Sequence, residues 1–299
     1  MKKITLSLLL CSALFSGELR FGHGTMKFTG GFLGFTQSVS EGIDTFTFEQ
    51  NHKNILGSKT FYAYNLTWYD SQHFKQMQSM YNTGVSQSFN WLLGGATPTT
   101  FVPTMDYRLQ GLDASLSLGY DMYNLDENNY FGVGGYLGIN LPWVDVKKDS
   151  HYLDNLPSGV DSSKLYKYYK DSKTDIKTYK LGIALYGRKS LVPSLSFYSN
   201  FILAYQTGSI SNDYANSSMD VDGSYTSLDL GVRFQPYEQD FKLWKVTFSP
   251  RLYITAGYKM ERWSVDDVAI DISGMNMKMP KTTMKFDTDT AYLGFGYSF

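Results

Sequence analysis

The histidines are the residues of this chain best suited to acid–base chemistry. There are four of them: His23, His52, His73 and His151. A serine hydrolase needs a histidine that accepts the proton of the serine. Ser71 precedes His73 by two residues, which is not the His-x-Ser order of acyl hydrolases, and Asp149 with His151 is a single pair in a charged segment. We therefore predict that the chain is not an enzyme and keep a hydrolase as the least favoured alternative.

Metal-binding spacings are also missing from the sequence. Neither His-x-x-x-His nor Cys-x-x-Cys occurs, and Cys11 is the only cysteine. Met275, Met277 and Met279 alternate, with Met284 nearby, and thioether sulfur is a soft ligand for copper(I). Methionines in a β-rich segment more often pack against neighbours. We predict no metal site, no cofactor and no disulfide.

Charged side chains occur at regular positions within segments in which apolar and polar residues alternate. Nine of them occupy the polar side of such segments: Glu49, Asp113, Lys180, Arg188, Asp229, Arg233, Arg251, Lys259 and Glu261. Charges that are withdrawn from water need partners. These residues are candidates either for ion pairs that fill an interior or for the lining of a narrow aqueous path that favours one ion sign.

The segments that carry these charges are predicted to be β-strands, because every second residue is apolar. The clearest pair lies at 112–120 and 131–143, with a polar turn at 124–129 between them. The whole pattern predicts ten strands, at residues 26–37, 44–50, 59–69, 112–120, 131–143, 179–185, 195–206, 228–234, 246–259 and 285–299. Twelve strands result if 19–37 or 265–279 contains another one.

Composition favours a sheet embedded in a membrane. The chain has 24 Tyr, 20 Phe and 27 Gly but only 8 Pro, and past its first residues it has no apolar run of the ~18 residues that a membrane helix needs. Lys2, Lys3 and the apolar stretch 4–15 predict a secretory signal at 1–16, which leaves 17–299 as one domain. The balance of 27 basic and 28 acidic residues gives no indication of a nucleic-acid partner.

The final segment carries the most specific pattern. Phe295, Tyr297 and Phe299 alternate with small residues, and the chain stops on the aromatic residue. This ending resembles the closing strand of bacterial outer-membrane β-barrels, in which the C-terminal aromatic residues are an assembly signal. The resemblance implies an antiparallel transmembrane barrel in the outer membrane that meets the barrel-assembly machinery during biogenesis and contacts lipid and lipopolysaccharide afterwards.

The lengths of the predicted links agree with a barrel whose two ends lie in the periplasm. Four inward links are short, at 51–58, 123–129, 188–194 and 236–244. Four outward links are long, at 70–103, 144–174, 208–222 and 263–284, while the first outward link, 38–43, is brief. Short periplasmic turns and long extracellular loops are typical of outer-membrane barrels. In this arrangement His23 and His52 lie on the periplasmic side.

Two outward segments are candidates for function. Apolar residues at helical spacing in 74–93 predict an amphipathic helix that either caps the rim or folds inward and gates the mouth. The lysines and tyrosines of 144–174 suit a glycan, a lipopolysaccharide phosphate or a host surface, or form a solvated loop. Aromatic residues near the strand ends are expected at the lipid headgroups: Trp68, Tyr69, Trp143, Tyr205, Tyr237, Trp244, Tyr258 and Tyr297.

Three functions follow from the sequence. The favoured one is a narrow porin-like channel or an envelope protein without catalysis. The alternative is a barrel that interacts with an extracellular ligand as an adhesin does, and the third is an outer-membrane hydrolase. For the interior, we favour charges that pair and fill it, because ten strands enclose little free space.

Overall fold

The computed structural model of the protein is a barrel of ten long strands. It describes residues 17–32, 35–53, 59–72, 74–75, 106–126, 129–146, 173–212, 217–236, 241–243, 246–248, 252–272, 275–278 and 283–297. The strands are β1 Glu18–Phe32, β2 Phe35–Lys53, β3 Thr60–Ser71, β4 Asp106–Asp126, β5 Asn129–Val146, β6 Thr174–Val192, β7 Leu195–Asn212, β8 Ser217–Phe234, β9 Leu252–Ile272 and β10 Thr283–Tyr297. Within these ranges no helix is long and apolar enough to cross a membrane.

The sheet closes on itself. Each long strand pairs antiparallel with the next one in the chain, and β1 pairs with β10, so that Leu19 faces Phe295 and Phe28 faces Phe286. Closure leaves no strand edge with unpaired amides, which would cost several kcal/mol each in hydrocarbon. The predicted ten-stranded antiparallel barrel is thus confirmed. We call the end at which β1 begins and β10 ends the lower end, and the opposite end the upper end.

The first hairpin differs from its prediction. Residues 38–43 are not a link, because β2 runs through them and the chain turns between Phe32 and Phe35, which face each other. Val39 and Ile43 are buried inside the barrel. The prediction of a link was wrong because the residues between these two on the other face are polar or glycine, a composition that is also typical of a turn.

Other predicted links are partly strand as well. β7 reaches Asn212 and β8 starts at Ser217, so most of 208–222 is paired backbone. Similarly, β9 continues to Ile272, where Met275–Lys278 pairs with it. No eleventh long strand occurs in the part of the chain that the structure describes.

The two longest outward links are mostly outside the described residues. Of the predicted helix at 74–93, the described part is the two-residue strand Phe74–Lys75, which pairs with the start of β4. The loop at 147–172 and the predicted signal at 1–16 also lie outside the described ranges.

The lower link between β8 and β9 contains its own small hairpin, formed by Phe241–Leu243 and Val246–Phe248. The predicted barrel strand at 246–259 was therefore wrong at its start, since β9 begins at Leu252.

The barrel wall has two zones with opposite polarity. In the lower zone, large apolar side chains face outward and are exposed, among them Phe21, Leu66, Leu116, Leu118, Leu137, Leu181, Ile183, Leu203, Val232, Ile254, Leu293 and Phe295. In the upper zone, apolar side chains face inward and are buried, among them Met26, Val39, Leu109, Val144, Ile210, Val221 and Met284. The outer wall there carries ion pairs such as Arg262–Asp289 (2.7 Å). The outer wall of the lower zone is thus suited to contact with lipid, and the outer wall of the upper zone is suited to contact with water.

Candidate functional site

Eight of the nine charged candidates lie in the described strands. All of those that the structure describes face inward, and Asp113, Lys180, Asp229 and Arg233 are more than 90% buried. Arg251 lies outside the described residues. The alternation of each strand decided this outcome, because successive side chains of a strand point to opposite faces.

The centre of the lower interior is a residue that sequence reasoning missed. Arg20 of β1 lies among three carboxylates: its Nε is 2.6 Å from Glu18, and its Nη1 is 2.7 Å from Asp229 and 2.9 Å from Glu49. Thr255 donates a further hydrogen bond to Glu18 at 2.5 Å. Glu18 and Arg20 were missed because the predicted first strand begins at residue 26. The signal was present, since both residues alternate with Leu19 and Phe21.

Two tyrosines complete this lower cluster. Tyr292 of β10 donates a hydrogen bond to Asp229, and the hydroxyls of Tyr198 and Tyr292 are hydrogen-bonded to each other. The Arg20 guanidinium carbon lies 4.7 Å from the ring centre of Tyr292 and 5.5 Å from that of Tyr198. A buried guanidinium thus has carboxylates at its edge and aromatic rings at its faces, the two environments in which its charge is best compensated.

A second cluster lies above the first and is centred on Lys180 of β6. Its ammonium group forms a buried ion pair with Asp113 of β4 and lies 3.8 Å from the ring centre of Tyr225 and 4.8 Å from that of Trp263. Tyr136 of β5 stacks on Tyr225 with their ring centres 6.2 Å apart. Opposite strands of the barrel therefore meet at this level.

The same cluster continues to β9. The Tyr225 hydroxyl donates to Glu261 at 2.6 Å, and Glu261 lies 3.1 Å from the ammonium group of Lys259. Between the two clusters a void of about 40 Å³ is lined by residues of both, including Glu49, Asp113 and Lys259. A void of this size has room for about one water molecule.

Above the second cluster lies an apolar cavity in the upper zone. Its volume is about 80 Å³, and its walls are mostly aliphatic and aromatic: Met26, Phe28, Val39, Leu109, Val144, Ile176, Ile210, Val221, Val265, Met284 and Phe286. Thr178, Gln206 and Trp263 also line it. The sequence did not predict this cavity. In a membrane strand the apolar face is expected to contact lipid, so the apolar residues of the upper zone were expected on the outer wall.

Most of the described aromatic residues predicted at the headgroups lie on the outer wall, but one of them lies inside the barrel. Trp68 and Trp143 face outward and make an edge-to-face contact, with their ring centres 5.4 Å apart, and Tyr205 and Tyr258 are exposed on the outer wall. Tyr69 contradicts the prediction, because its side chain is buried in the interior and its hydroxyl donates to Asn140 at 2.8 Å. Tyr297 ends β10, whereas Tyr237 and Trp244 lie outside the described residues.

The predicted assembly signal is described in part. Phe295 is exposed on the outer wall, at 58%, and pairs through its backbone with Leu19 of β1 at the closing seam. Tyr297, two residues further on, faces Leu252 of β9. Phe299 lies outside the described residues.

The histidines form no recognisable catalytic arrangement in the described ranges. His23 lies in β1 on the outer wall, with Nδ1 2.7 Å from Asp44, and both side chains are about 70% exposed. Its predicted periplasmic position was wrong because β1 begins before it. The side chain of His52 and the whole of His73 and His151 lie outside the description. Among the described residues, no group of three or more His, Cys, Asp or Glu side chains is arranged to hold a metal ion.

A closed antiparallel barrel with an apolar outer belt and a polar interior is the architecture of bacterial outer-membrane proteins. The fold of this protein is therefore that of an outer-membrane β-barrel. Within that class, no protein-family model matches its sequence, and no curated protein matches it either.

Comparison with solved structures returns other barrels. The outer membrane protease OmpT from Escherichia coli has a TM-score of 0.48 and 9% identity, covering 95% of this chain and 96% of OmpT. The translocator domain of the autotransporter NalP from Neisseria meningitidis has a TM-score of 0.35 and 10% identity, covering 100% of this chain and 95% of that domain. Ail of Yersinia pestis has a TM-score of 0.27 and 10% identity, with 93% and 99% covered.

Proposed function

We propose that this protein is a non-catalytic envelope barrel that does not conduct solutes and that works at the cell surface. The observation that carries the proposal is the filling of its interior. Arg20 of β1 reaches Asp229 of β8, a strand that is not its neighbour, and Lys180 of β6 reaches Asp113 of β4 beside the stacked rings of Tyr136 and Tyr225.

A channel is less well supported by this geometry. A conducting path needs polar groups that face water along its whole length. Here the interior cations are compensated by carboxylates and rings at close range, and a hydrated ion moving past Arg20 or Lys180 would have to displace these contacts. Above these two cations the interior is an apolar cavity, so an ion on this path would meet no polar group to replace its hydration.

The surface role is supported by the upper zone. Its outer wall rises beyond the apolar belt and carries charged side chains, including Lys27, Arg108, Lys177 and Arg262. We propose that these cations, on the outer wall just above the apolar belt, bind the phosphates of lipopolysaccharide. The barrel-assembly machinery remains the proposed partner during biogenesis, through Phe295, Tyr297 and Phe299.

Single-channel recording of the refolded protein in planar bilayers tests the proposal. We expect no discrete conductance steps from the wild-type barrel. A variant with four inward tyrosines removed, Y136A/Y198A/Y225A/Y292A, is expected to conduct, because these rings fill the lumen. The matched control removes four outward tyrosines, Y62A/Y120A/Y179A/Y205A, and is expected to stay closed. Discrete steps from the wild-type protein would contradict the proposal.

A further inference from the structure

The upper cavity lies at the centre of the barrel, because every long strand except β3 contributes to its wall. The surface that the described residues present to it is almost entirely carbon. The polar atoms near its floor do not change this, because the Thr178 hydroxyl, Gln206 Oε1 and Trp263 Nε1 are covered by neighbouring atoms. Lys285 also lines the cavity, but it belongs to the outward face of β10 and its side chain is exposed. The cavity thus offers an occupant apolar contacts and almost no hydrogen-bonding group.

The wall is built from side chains that leave space between them. Four of its positions are valines, although leucine or phenylalanine would reach further into the centre: Val39, Val144, Val221 and Val265. A void of about 80 Å³ remains. Water is a poor occupant, since an ordered molecule needs about two to four polar partners. Without an occupant, the lining atoms lose the dispersion contacts that a filled core provides. An apolar occupant would restore these contacts.

The size and the lining of the void define this occupant further. An engineered apolar cavity of about 150 Å³ takes up benzene or xenon, so the smaller void here suits a guest no larger than one hydrocarbon ring. Met26 and Met284 lie in the wall, and methionine side chains adapt readily to the shape of a guest. Their sulfur atoms also make favourable contacts with an aromatic ring, as do the rings of Phe28 and Phe286 beside them.

We infer that the upper cavity is a binding site for a small neutral molecule without hydrogen-bonding groups, of the monocyclic hydrocarbon class. Contacts with the aliphatic, methionine and aromatic side chains of the wall hold the guest, and no hydrogen bond is involved. This site goes beyond the proposed surface role and does not depend on whether the barrel conducts.

Two fluorinated probes of the same shape test the site. Fluorobenzene and 3-fluoropyridine differ by a ring nitrogen in place of a C–H group, and their fluorine resonances report binding to the refolded full-length protein in lipid nanodiscs. Empty nanodiscs measure the partition of each probe into lipid. We expect saturable binding of fluorobenzene that is about tenfold tighter than that of 3-fluoropyridine, because the ring nitrogen loses its hydrogen bond to water and gains none in the cavity. Equal affinity of the two probes, or no saturable binding beyond that of empty nanodiscs, would overturn the inference.

Two valines of β8 locate the binding. Val221 lines the cavity and is 2% exposed, whereas Val232 lies on the outer wall of the lower zone and is 38% exposed. V221F fills the cavity and is expected to abolish binding of fluorobenzene. V232F makes the same change on the other face and is expected to leave the affinity unchanged. A heat-dependent shift in electrophoretic mobility shows whether each variant is folded. Unchanged affinity in a folded V221F would refute this site.

A variant with a larger cavity tests the site from the opposite direction. M284A removes most of a side chain from the wall, and it does not depend on a larger residue being accommodated. We expect M284A to bind 1-fluoronaphthalene, whose two fused rings are too large for the wild-type cavity. Saturable binding of 1-fluoronaphthalene to the wild-type protein, or its absence in a folded M284A, would contradict a guest site of this size.

Discussion

Arg20 and Asp229 join two strands that are three places apart around the barrel, with Nη1 of the guanidinium 2.7 Å from a carboxylate oxygen. The two residues are 209 positions apart and lie on β1 and β8, which are not neighbours in the sheet. Glu18 and Glu49 share the same guanidinium. One side chain thus ties three strands together through the interior, in addition to their backbone hydrogen bonds.

Replacement of Arg20 by methionine is expected to lower the free energy of unfolding by about 3–5 kcal/mol. The variant R20M leaves three buried carboxylates without their common partner. Denaturant unfolding of the refolded barrel measures the change. The control K27M removes an exposed outward cation of the same strand and is expected to change stability by less than about 0.5 kcal/mol. Equal effects of the two variants would show that the Arg20 cluster contributes no stability.

The pair formed by Lys180 and Asp113 is expected to show strong coupling in a double-mutant cycle. K180M alone leaves a buried carboxylate, and D113L alone leaves a buried ammonium group, so each is expected to cost about 3 kcal/mol. The double variant K180M/D113L is expected to cost less than either single variant, because no unpaired charge remains. Additive losses in denaturant unfolding would contradict a direct interaction.

Two threonines of the interior are expected to respond in opposite directions to the same change. T178V removes a hydroxyl without a partner and is expected to raise the free energy of unfolding by about 1 kcal/mol. T47V removes a hydroxyl that is 2.9 Å from that of Thr67 and is expected to lower it by about 1 kcal/mol. A clear loss of stability in T178V would mean that its hydroxyl has a partner in solution.

The boundary between the two zones predicts which outward positions water reaches. In a C11S background, cysteines at Lys27 and Leu293 give one reporter in the upper zone and one in the lower zone. A membrane-impermeant maleimide added to intact cells is expected to label K27C and to leave L293C unlabelled, because lipid covers the lower belt. Both are expected to react after unfolding. Equal labelling on intact cells would place the boundary elsewhere.

Alternation along the strands predicted much of this architecture. It indicated ten strands and the inward direction of the described charged candidates, including Asp113 and Lys180. It did not find Glu18 and Arg20, because the small residues of β1 obscure where the strand begins. It also misplaced Tyr69, since a tyrosine at a strand end fits a headgroup position as well as a buried hydrogen bond to Asn140.

The sequence by itself determined the class of the fold and the two faces of each strand, because the period of a strand is a local property of the backbone. Only the tertiary structure decided which charges meet, as Arg20 and Asp229 do, because closure of the sheet brings distant strands together. It also decided where the polarity of the wall reverses. Val39 and Val221 alternate just as lipid-facing residues do, but they point inward, because the wall above the apolar belt faces water and the interior there is apolar.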